Sequence, residues 1–215
     1  GRWLPIHNLP EESDTVEIFK GKQLSALEDT FNVTVWNMYK GKEKSWKKDF
    51  FKLLSTSSFF ITQEIYLKNK MTTTFKELQN HEAITATSFL WKGETKTGVA
   101  TIATTQATDY MYIRSRDREP IVKTPKITLL SNYNLTNGQN LLIANIHALN
   151  LVSSRKLKSQ LKKVLSSIKE HFGPVIFAGD FNTWTKKKNK VLCFKISEGK
   201  DPQKVNYQIP LALVQ

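Results

Sequence analysis

The sequence predicts an α/β protein with mixed β-sheets. Short apolar runs with strand periodicity alternate along the chain with segments of helical periodicity, and this alternation is typical of α/β folds. In the middle of the chain, Asn137-Gly138 separates two apolar runs, and this dipeptide is a strong signal for a β-hairpin. Because a hairpin joins antiparallel strands, we expect sheets that are not purely parallel.

The order of elements follows from the same patterns. Residues 1–30 are polar and contain Pro5 and Pro10, so we expect an N-terminal arm. Helices are predicted over 44–54, 72–80 (capped by Thr72 or Thr73) and 153–173, and a charged loop over 115–125. Strands are predicted over 32–39, 58–62, 84–91, 98–104, 127–135, 139–147 and 175–178.

The strongest helical pattern is that of residues 153–173. Ser153 or Ser154 can cap its start, and Gly173-Pro174 ends it. Its apolar stripe, which we expect to face the core, consists of Leu157, Leu161, Val164, Leu165, Ile168 and Phe172.

The composition predicts one domain over residues 31–215 after the arm. With 215 residues, of which 40% are hydrophobic, the chain can build a core, and no apolar run approaches the roughly 18 residues of a membrane span. Cys193 is the only cysteine, which excludes an internal disulfide and is compatible with the cytoplasm. The alternative is an exported protein whose leader was removed before Gly1. We expect a monomer.

The net charge points to anionic partners. Lysine and arginine number 32 against 19 acidic residues, giving a net charge of +13. Such a field attracts nucleic acid or an anionic membrane surface. The simpler explanation, solvated faces rich in lysine, remains open.

Polar side chains follow four of the apolar runs. The first run ends at Asn37, the second at Gln63-Glu64, the third at His147 with Asn150 beyond it, and the fourth at Asp180 and Asn182. Each of these residues alone is explained most simply as a turn former, a cap or a solvated group. Because sites gather at the carboxyl ends of strands in α/β sheets, the four together predict one shared site.

This set of side chains suits hydrolysis of a phosphate ester. Carboxylates and amide oxygens are ligands for Mg²⁺, Mn²⁺ or Ca²⁺ rather than for zinc. Glu64 could hold the metal, His147 could donate a proton to a phosphoryl oxygen, and Asp180 could take a proton from water. The side chains that could orient groups without adding charge are Asn37, Asn150 and Asn182.

Four motifs, in this order, resemble the endonuclease/exonuclease/phosphatase superfamily, which includes DNase I. They are VTVWNMYKG, ITQEIY, NIHALN and AGDFNTW, and the resemblance covers about residues 30–192. The segment RDREPIVKTPKITLL (116–130) is most similar to an uncharacterised bacterial branch. The resemblance implies a four-layer α/β sandwich of two mixed sheets flanked by helices, and a Mg²⁺- or Mn²⁺-dependent phosphoesterase.

The resemblance also implies roles for individual residues. Asn37 and Glu64 match the metal-proximal pair, and His147 matches the histidine that contacts the scissile phosphate. Asp180 matches the aspartate that orients or deprotonates the attacking water, with Asn182 as its partner. Asp180 and Asn182 are expected to point the same way, because side chains two apart share a face of a strand.

The carboxyl-terminal sequence departs from the family pattern. Family members end with a Ser-Asp-His segment, whereas this chain has no histidine after His171, so we expect a domain whose last part is missing. The predicted function is hydrolysis of a phosphodiester, with nucleic acid as favoured substrate. The alternatives are a catalytically impaired member that only binds polyanions, and a phosphoesterase acting on phospholipids or sugar phosphates.

Two basic side chains are predicted to bind substrate. Arg118 lies in a basic cluster of the charged loop, and Lys186 directly follows the Gly-Asp-Phe-Asn motif. Both could hold phosphates that flank the scissile one. Both could instead be solvated charges, and Arg118 could pair with a neighbouring acid.

Overall fold

The computed structural model describes residues 7–28 and 30–183. These residues form three α-helices and nine β-strands, besides the short 3₁₀ helices Glu12–Asp14 and Tyr39–Gly41. The helices are α1 (Trp46–Leu54), α2 (Lys70–Lys76) and α3 (Ser154–Lys169). The strands are β1 (Val16–Lys20), β2 (Val33–Asn37), β3 (Phe59–Leu67), β4 (Glu82–Trp91), β5 (Thr95–Ala103), β6 (Asp109–Arg114), β7 (Ile127–Asn134), β8 (Asn140–His147) and β9 (Val175–Asp180).

The strands form two mixed sheets. The first has the order β1-β4-β5-β3-β2, and the second has the order β6-β7-β8-β9. In each sheet one pair is parallel, β2 with β3 and β8 with β9, and the other pairs are antiparallel. The predicted hairpin is confirmed, since β7 and β8 pair antiparallel around Gly138, whose φ of 82° suits such a turn.

The side chains of β3 show how the layers arise. Successive residues of a strand face opposite sides of its sheet. Phe60 packs outward against α1 and α2, while Phe59 and Ile61 pack inward against Tyr133, Ile143 and other residues of the second sheet. On the far side of the second sheet, apolar residues of α3 cover β7, β8 and β9. The order helix, sheet, sheet, helix is the predicted four-layer α/β sandwich.

Several elements differ from the sequence-based predictions. Helix α3 ends at Lys169, so Phe172 lies beyond the helix and is 94% exposed instead of buried. Helix α2 begins at Lys70, which places the predicted caps Thr72 and Thr73 inside it. Strand β3 does not end at Gln63-Glu64 but continues to Leu67.

Two edge strands were not predicted. Strand β1 lies within the segment expected to be an arm and pairs with β4, and β6 pairs with β7. Each buries a single side chain, Phe19 in β1 and Ile113 in β6, so neither sequence shows a clear strand pattern. Within the described residues, no helix has the length and apolar character needed to cross a membrane.

Candidate active site

The two parallel strand pairs bring the predicted site residues to one rim of the sandwich. Asn37 is the last residue of β2, and His147 and Asp180 are the last residues of β8 and β9. The register pairs His147 with Asp180 directly, and Asn37 with Gln63, the neighbour of Glu64. Since the carboxyl ends of parallel strands lie at the same edge, each sheet presents its polar residues at that edge.

The side chains of both sheets meet in direct contact. The Asn37 Nδ2 group donates hydrogen bonds to Asp180 Oδ2 at 3.0 Å and to Glu64 Oε1 at 3.5 Å. His147 Nε2 lies 3.8 Å from Asp180 Oδ2. Residues from four strands therefore form one cluster across the interface between the sheets.

A β-bulge directs Glu64 into this cluster. The register of β3 against β5 shifts between Gln63 and Ile65, and the intervening Glu64 has a φ of 53°. A bulge re-aims a side chain, and a left-handed conformation at a residue other than glycine costs free energy that the surrounding structure must offset. Such strain is typical of functional positions.

Lys40 forms an ion pair with Glu64. Its Nζ lies 2.7 Å from Glu64 Oε2. Burial alone raises the pKa of Glu64, but the hydrogen bond and positive charge of Lys40, together with the charge of Lys126 and the hydrogen bond from Asn37, hold this pKa below its ordinary value. Glu64 is therefore ionised at neutral pH and already binds one positive charge.

Asp180 is held by its own strand and by the neighbouring loop. Its Oδ1 accepts a hydrogen bond of 2.9 Å from the Asn182 backbone N–H, and its backbone carbonyl accepts one of 2.8 Å from Ala148 N–H. Asn182, with a φ of 48°, donates from Nδ2 to the Ala148 carbonyl at 2.8 Å. Its side chain therefore braces the loop after β8, while the Asp180 side chain remains 20% exposed and within reach of water.

His147 is buried and neutral. Burial holds the pKa of His147 well below its usual range, and the positive charges of Lys126 and Lys40 lower it further. Helix α3 fixes the loop that follows, since Gln160 donates from Nε2 to the His147 carbonyl at 3.3 Å and accepts from Leu149 N–H at 2.9 Å. The neutral imidazole is thus positioned by α3 as well as by β8.

A cleft of about 230 Å³ lies beside this cluster. Glu64, His147 and Asn182 line it, whereas Asn37 and Asp180 are not among its lining residues. One wall is a loop that is organised by a largely buried ion pair, Glu119 Oε1 with Lys126 Nζ at 3.4 Å. Glu119 also accepts hydrogen bonds from Thr124 Oγ1 at 3.2 Å and from Asn150 N–H at 3.0 Å. The polar side chains that line the cleft include Lys40, Glu64, Lys126, His147, Asn150 and Asn182.

The predicted residues do not all reach the cleft. Arg118 is exposed, donates to the Lys123 carbonyl at 3.1 Å, and is not among the lining residues, so its role in substrate binding stays a prediction. Lys186 lies outside the described residues. Sequence reasoning missed Lys40 and Lys126, although Lys40 stands within the same motif as Asn37 and Lys126 directly precedes β7.

The donor chemistry of the cluster fits a hard divalent cation. Two carboxylates, Glu64 and Asp180, lie on either side of the Asn37 amide, and Lys40 shows that positive charge is favoured beside Glu64. Among the described residues there is no group of three or more His, Cys, Asp or Glu side chains arranged to hold a metal. Of these side chains, Glu64 and Asp180 carry the carboxylate oxygens that Mg²⁺ prefers as ligands.

Bacterial proteins of similar sequence cover most of the chain. A UPF0294 protein of Vibrio campbellii is 32% identical over 173 residues, which are 79% of this chain and 59% of that protein. The chain spans about three fifths of the length of the first curated relatives it matches. No family model matches the sequence.

Solved structures share the fold at low sequence identity. An endonuclease/exonuclease/phosphatase family protein from Leptotrichia buccalis superposes with a TM-score of 0.59 and 14% identity, covering 77% of this chain and 73% of that one. The catalytic domain of human Nocturnin, solved with a bound sulfate anion, gives a TM-score of 0.60 and 14% identity, covering 86% and 73%. At such identities the likeness concerns the fold.

Proposed function

We propose that this chain, whose fold is that of solved endonuclease/exonuclease/phosphatase family proteins, is a divalent-metal-dependent phosphoesterase. It hydrolyses a phosphodiester, with nucleic acid as the favoured substrate. The observation that carries the proposal is the contact of Asn37 with both Glu64 and Asp180 beside His147, at the rim where four strands end or bulge.

Asp180 is the group that receives a proton from the attacking water. Its carboxylate is oriented by two hydrogen bonds, from Asn37 Nδ2 and from Asn182 N–H, and it is open to water. General-base catalysis of this kind contributes roughly 10²- to 10⁴-fold to a rate. A cation bound at Glu64 would neutralise charge on the phosphate oxygens.

His147 and the two lysines complement the phosphate. A neutral imidazole at Nε2 can donate a hydrogen bond to a phosphoryl oxygen as negative charge builds up there. Lys126 and Lys40 both line the cleft and supply positive charge close to His147. These groups bind the anion while Asp180 activates water, and Asn150 lies at the cleft wall where it can orient the ester.

The basic character of the chain favours nucleic acid among phosphodiesters. A net charge of +13 attracts a polyanion more strongly than a singly charged ester. A phospholipid or sugar phosphate would gain less from this field. The substrate class is therefore proposed on charge, separately from the chemistry of the cleft.

The test is cleavage of single-stranded DNA and of bis(4-nitrophenyl) phosphate with Mg²⁺, with Mn²⁺ and with EDTA. We expect activity with either metal, none with EDTA, and a loss of about 10²- to 10⁴-fold in Asp180→Ala. The matched control is Asp109→Ala, which also removes an aspartate. Asp109 is exposed, and its strand partner Asn132 lies toward the end of β7 that is far from Lys126 and the cleft. This control should retain the wild-type rate.

Two outcomes would count against the proposal. Equal cleavage by wild type and Asp180→Ala would remove Asp180 from the mechanism. Absence of cleavage for every phosphodiester, together with retained binding of DNA or RNA, would favour a domain that only binds polyanions.

A further inference from the structure

One side of the cleft is apolar and aromatic. Phe89 and Trp91, at the end of β4, and Val122, in the loop before β7, line the cleft together with the charged residues described above. Apolar side chains contribute no ion pair that would bind inorganic phosphate or a bare phosphodiester. The wall therefore indicates that the ligand has a planar or apolar part beside its phosphate.

The aromatic wall is rigid. The His7 ring packs against Trp91 with centroids 4.8 Å apart and against Phe89 at 5.1 Å. Phe89 is 6% exposed, whereas Trp91 is only half-buried. Trp91 is thus a supported ring, and part of its surface faces the cleft, where a planar group could contact it.

Lys40 connects the aromatic wall with the catalytic cluster. Its Nζ lies 5.7 Å from the centroid of the Trp91 ring and 2.7 Å from Glu64 Oε2. The ring and the carboxylate are therefore separated by no more than one ammonium group. A ligand with its phosphate at Lys40 and Lys126 would reach Trp91 with a group attached a few bonds away.

The size and charge of the cleft restrict that group. A volume of about 230 Å³ is below the usual range of about 300–1,000 Å³ for pockets that enclose drug-sized ligands, so the cleft accommodates one ring system and no base pair. The positive charge of Lys40 beside Trp91 opposes a quaternary ammonium head group, which aromatic rings otherwise bind. A neutral planar ring meets both conditions.

We propose that the cleft binds a phosphate that carries one unpaired nucleobase, with the base against Trp91 and the phosphate near Lys40, Lys126 and His147. This inference rests on the proposed function and narrows its substrate class to nucleotides or the unpaired ends of single strands. Base-paired nucleotides inside a duplex are excluded, because their faces are already stacked.

The test measures binding, so that it does not depend on catalysis. Titration calorimetry compares uridine 5′-phosphate with ribose 5-phosphate, which carries a hydroxyl group in place of the base. We expect uridine 5′-phosphate to bind roughly five- to 150-fold more tightly, the equivalent of about 1–3 kcal/mol of stacking.

Trp91→Ala should abolish this ratio and Trp91→Phe should keep part of it, which guards against a folding defect in the alanine variant. Tyr110→Ala, which removes an exposed ring on β6, is the matched control and should keep the wild-type ratio.

Further ligands show whether the cleft binds free nucleotides or the ends of single strands. A 5′-phosphorylated single strand of eight nucleotides that binds more tightly than the same strand with a 5′-hydroxyl group would identify strand ends as the ligand, and equal binding of the two strands would identify free nucleotides. Equal affinity for ribose 5-phosphate and uridine 5′-phosphate, an unchanged ratio in Trp91→Ala, or binding of phosphocholine as tight as that of uridine 5′-phosphate would overturn the inference. If the base strengthens binding but no phosphodiester is cleaved, the inference stands and the proposed function fails. If phosphodiesters are cleaved but the base does not strengthen binding, the proposed function stands and the inference fails.

Discussion

At the scale of single residues, the candidate site is built from side chains in unusual backbone conformations. Glu64 and Asn182 both have positive φ values, 53° and 48°, and both belong to the site. The sequence motifs identified these two residues by type and spacing, but a single sequence does not reveal a bulge that turns one carboxylate out of a strand. Lys40 and Lys126 were missed for another reason, because lysines are usually solvated and their position beside an acid emerges only in the folded chain.

The strained backbone at Glu64 predicts that a glycine variant is more stable than an alanine variant at this position. At a left-handed position, glycine avoids a steric cost of about 1–2 kcal/mol that every other L-residue meets. Glu64→Gly should therefore be more stable than Glu64→Ala by about 1 kcal/mol, although both lack the carboxylate. Urea denaturation of both variants measures the difference. The same pair of changes at Glu77, where φ is −81°, is the control and should favour alanine. An alanine variant at Glu64 as stable as the glycine variant would show that the strain is absent.

The ion pair of Lys40 and Glu64 predicts a pH dependence. Because Lys40 holds the pKa of Glu64 below its ordinary value of 4.5, the pair adds stability above pH 4.5 that is lost as the pH falls through the lower pKa of the folded state. Replacing Lys40 by methionine should raise the pKa of Glu64 and remove this contribution. Carbon-detected NMR titration of the glutamate carboxyl groups, with EDTA present, measures the shift. Lys47→Met, which removes a more exposed pair with Glu77, should leave the Glu64 titration unchanged.

At the scale of elements, burial decides what the sequence could predict. Strands β3, β4, β5, β7 and β8 are largely buried, and their apolar runs were recognised. Strands β1 and β6 each bury one side chain and were not recognised. The buried stripe of helix α3 was predicted correctly apart from Phe172. This residue fits the helical pattern but lies beyond the end of the helix and is exposed. Which strands pair in parallel at the site depends on sheet order, which no local pattern specifies.

The close pairing of β8 with β9 predicts that Gly179 does not tolerate a larger side chain. Gly179 has a φ of 134°, and a Cβ atom there would overlap with the Ile146 carbonyl oxygen of β8. Gly179→Ala should therefore separate β9 from β8, reduce amide-exchange protection along the pair, and misplace Asp180. Gly138→Ala is the control, since Gly138 also has a positive φ, 82°, but a Cβ there meets nothing within 4 Å. We expect about 1–2 kcal/mol of destabilisation for Gly138→Ala and clearly more for Gly179→Ala, measured by urea denaturation. Equal costs would mean that the close approach of the two strands is not maintained.

At the scale of the whole molecule, the two sheets contribute equally to the site, and the interface between them supports it. Directly below the cluster, Gln63 Nε2 donates to Asn145 Oδ1 at 2.9 Å, and Asn145 Nδ2 donates to the Ala100 carbonyl at 2.9 Å. This buried polar bridge fixes one sheet against the other, because a slip would leave its groups without hydrogen bonds at a cost of about 1–3 kcal/mol each. The α/β class could be derived from periodicity alone. The convergence of distant strands was predicted from the polar residues at their ends, whereas the stacking of two sheets at the site was expected only through the family resemblance.

The net charge of the molecule predicts how salt affects substrates of different length. Binding of a single strand that contacts about three phosphates should weaken roughly tenfold or more between about 50 and 200 mM salt, because each neutralised phosphate releases counterions. Hydrolysis of bis(4-nitrophenyl) phosphate should change much less, since this ester carries one charge and depends on the cleft alone. Steady-state kinetics for the ester and fluorescence anisotropy for an eight-nucleotide strand, measured over the same salt series, provide the comparison. If the strand and the ester responded equally to salt, the basic surface would have no part in substrate selection, and the preference for nucleic acid would have to come from the cleft.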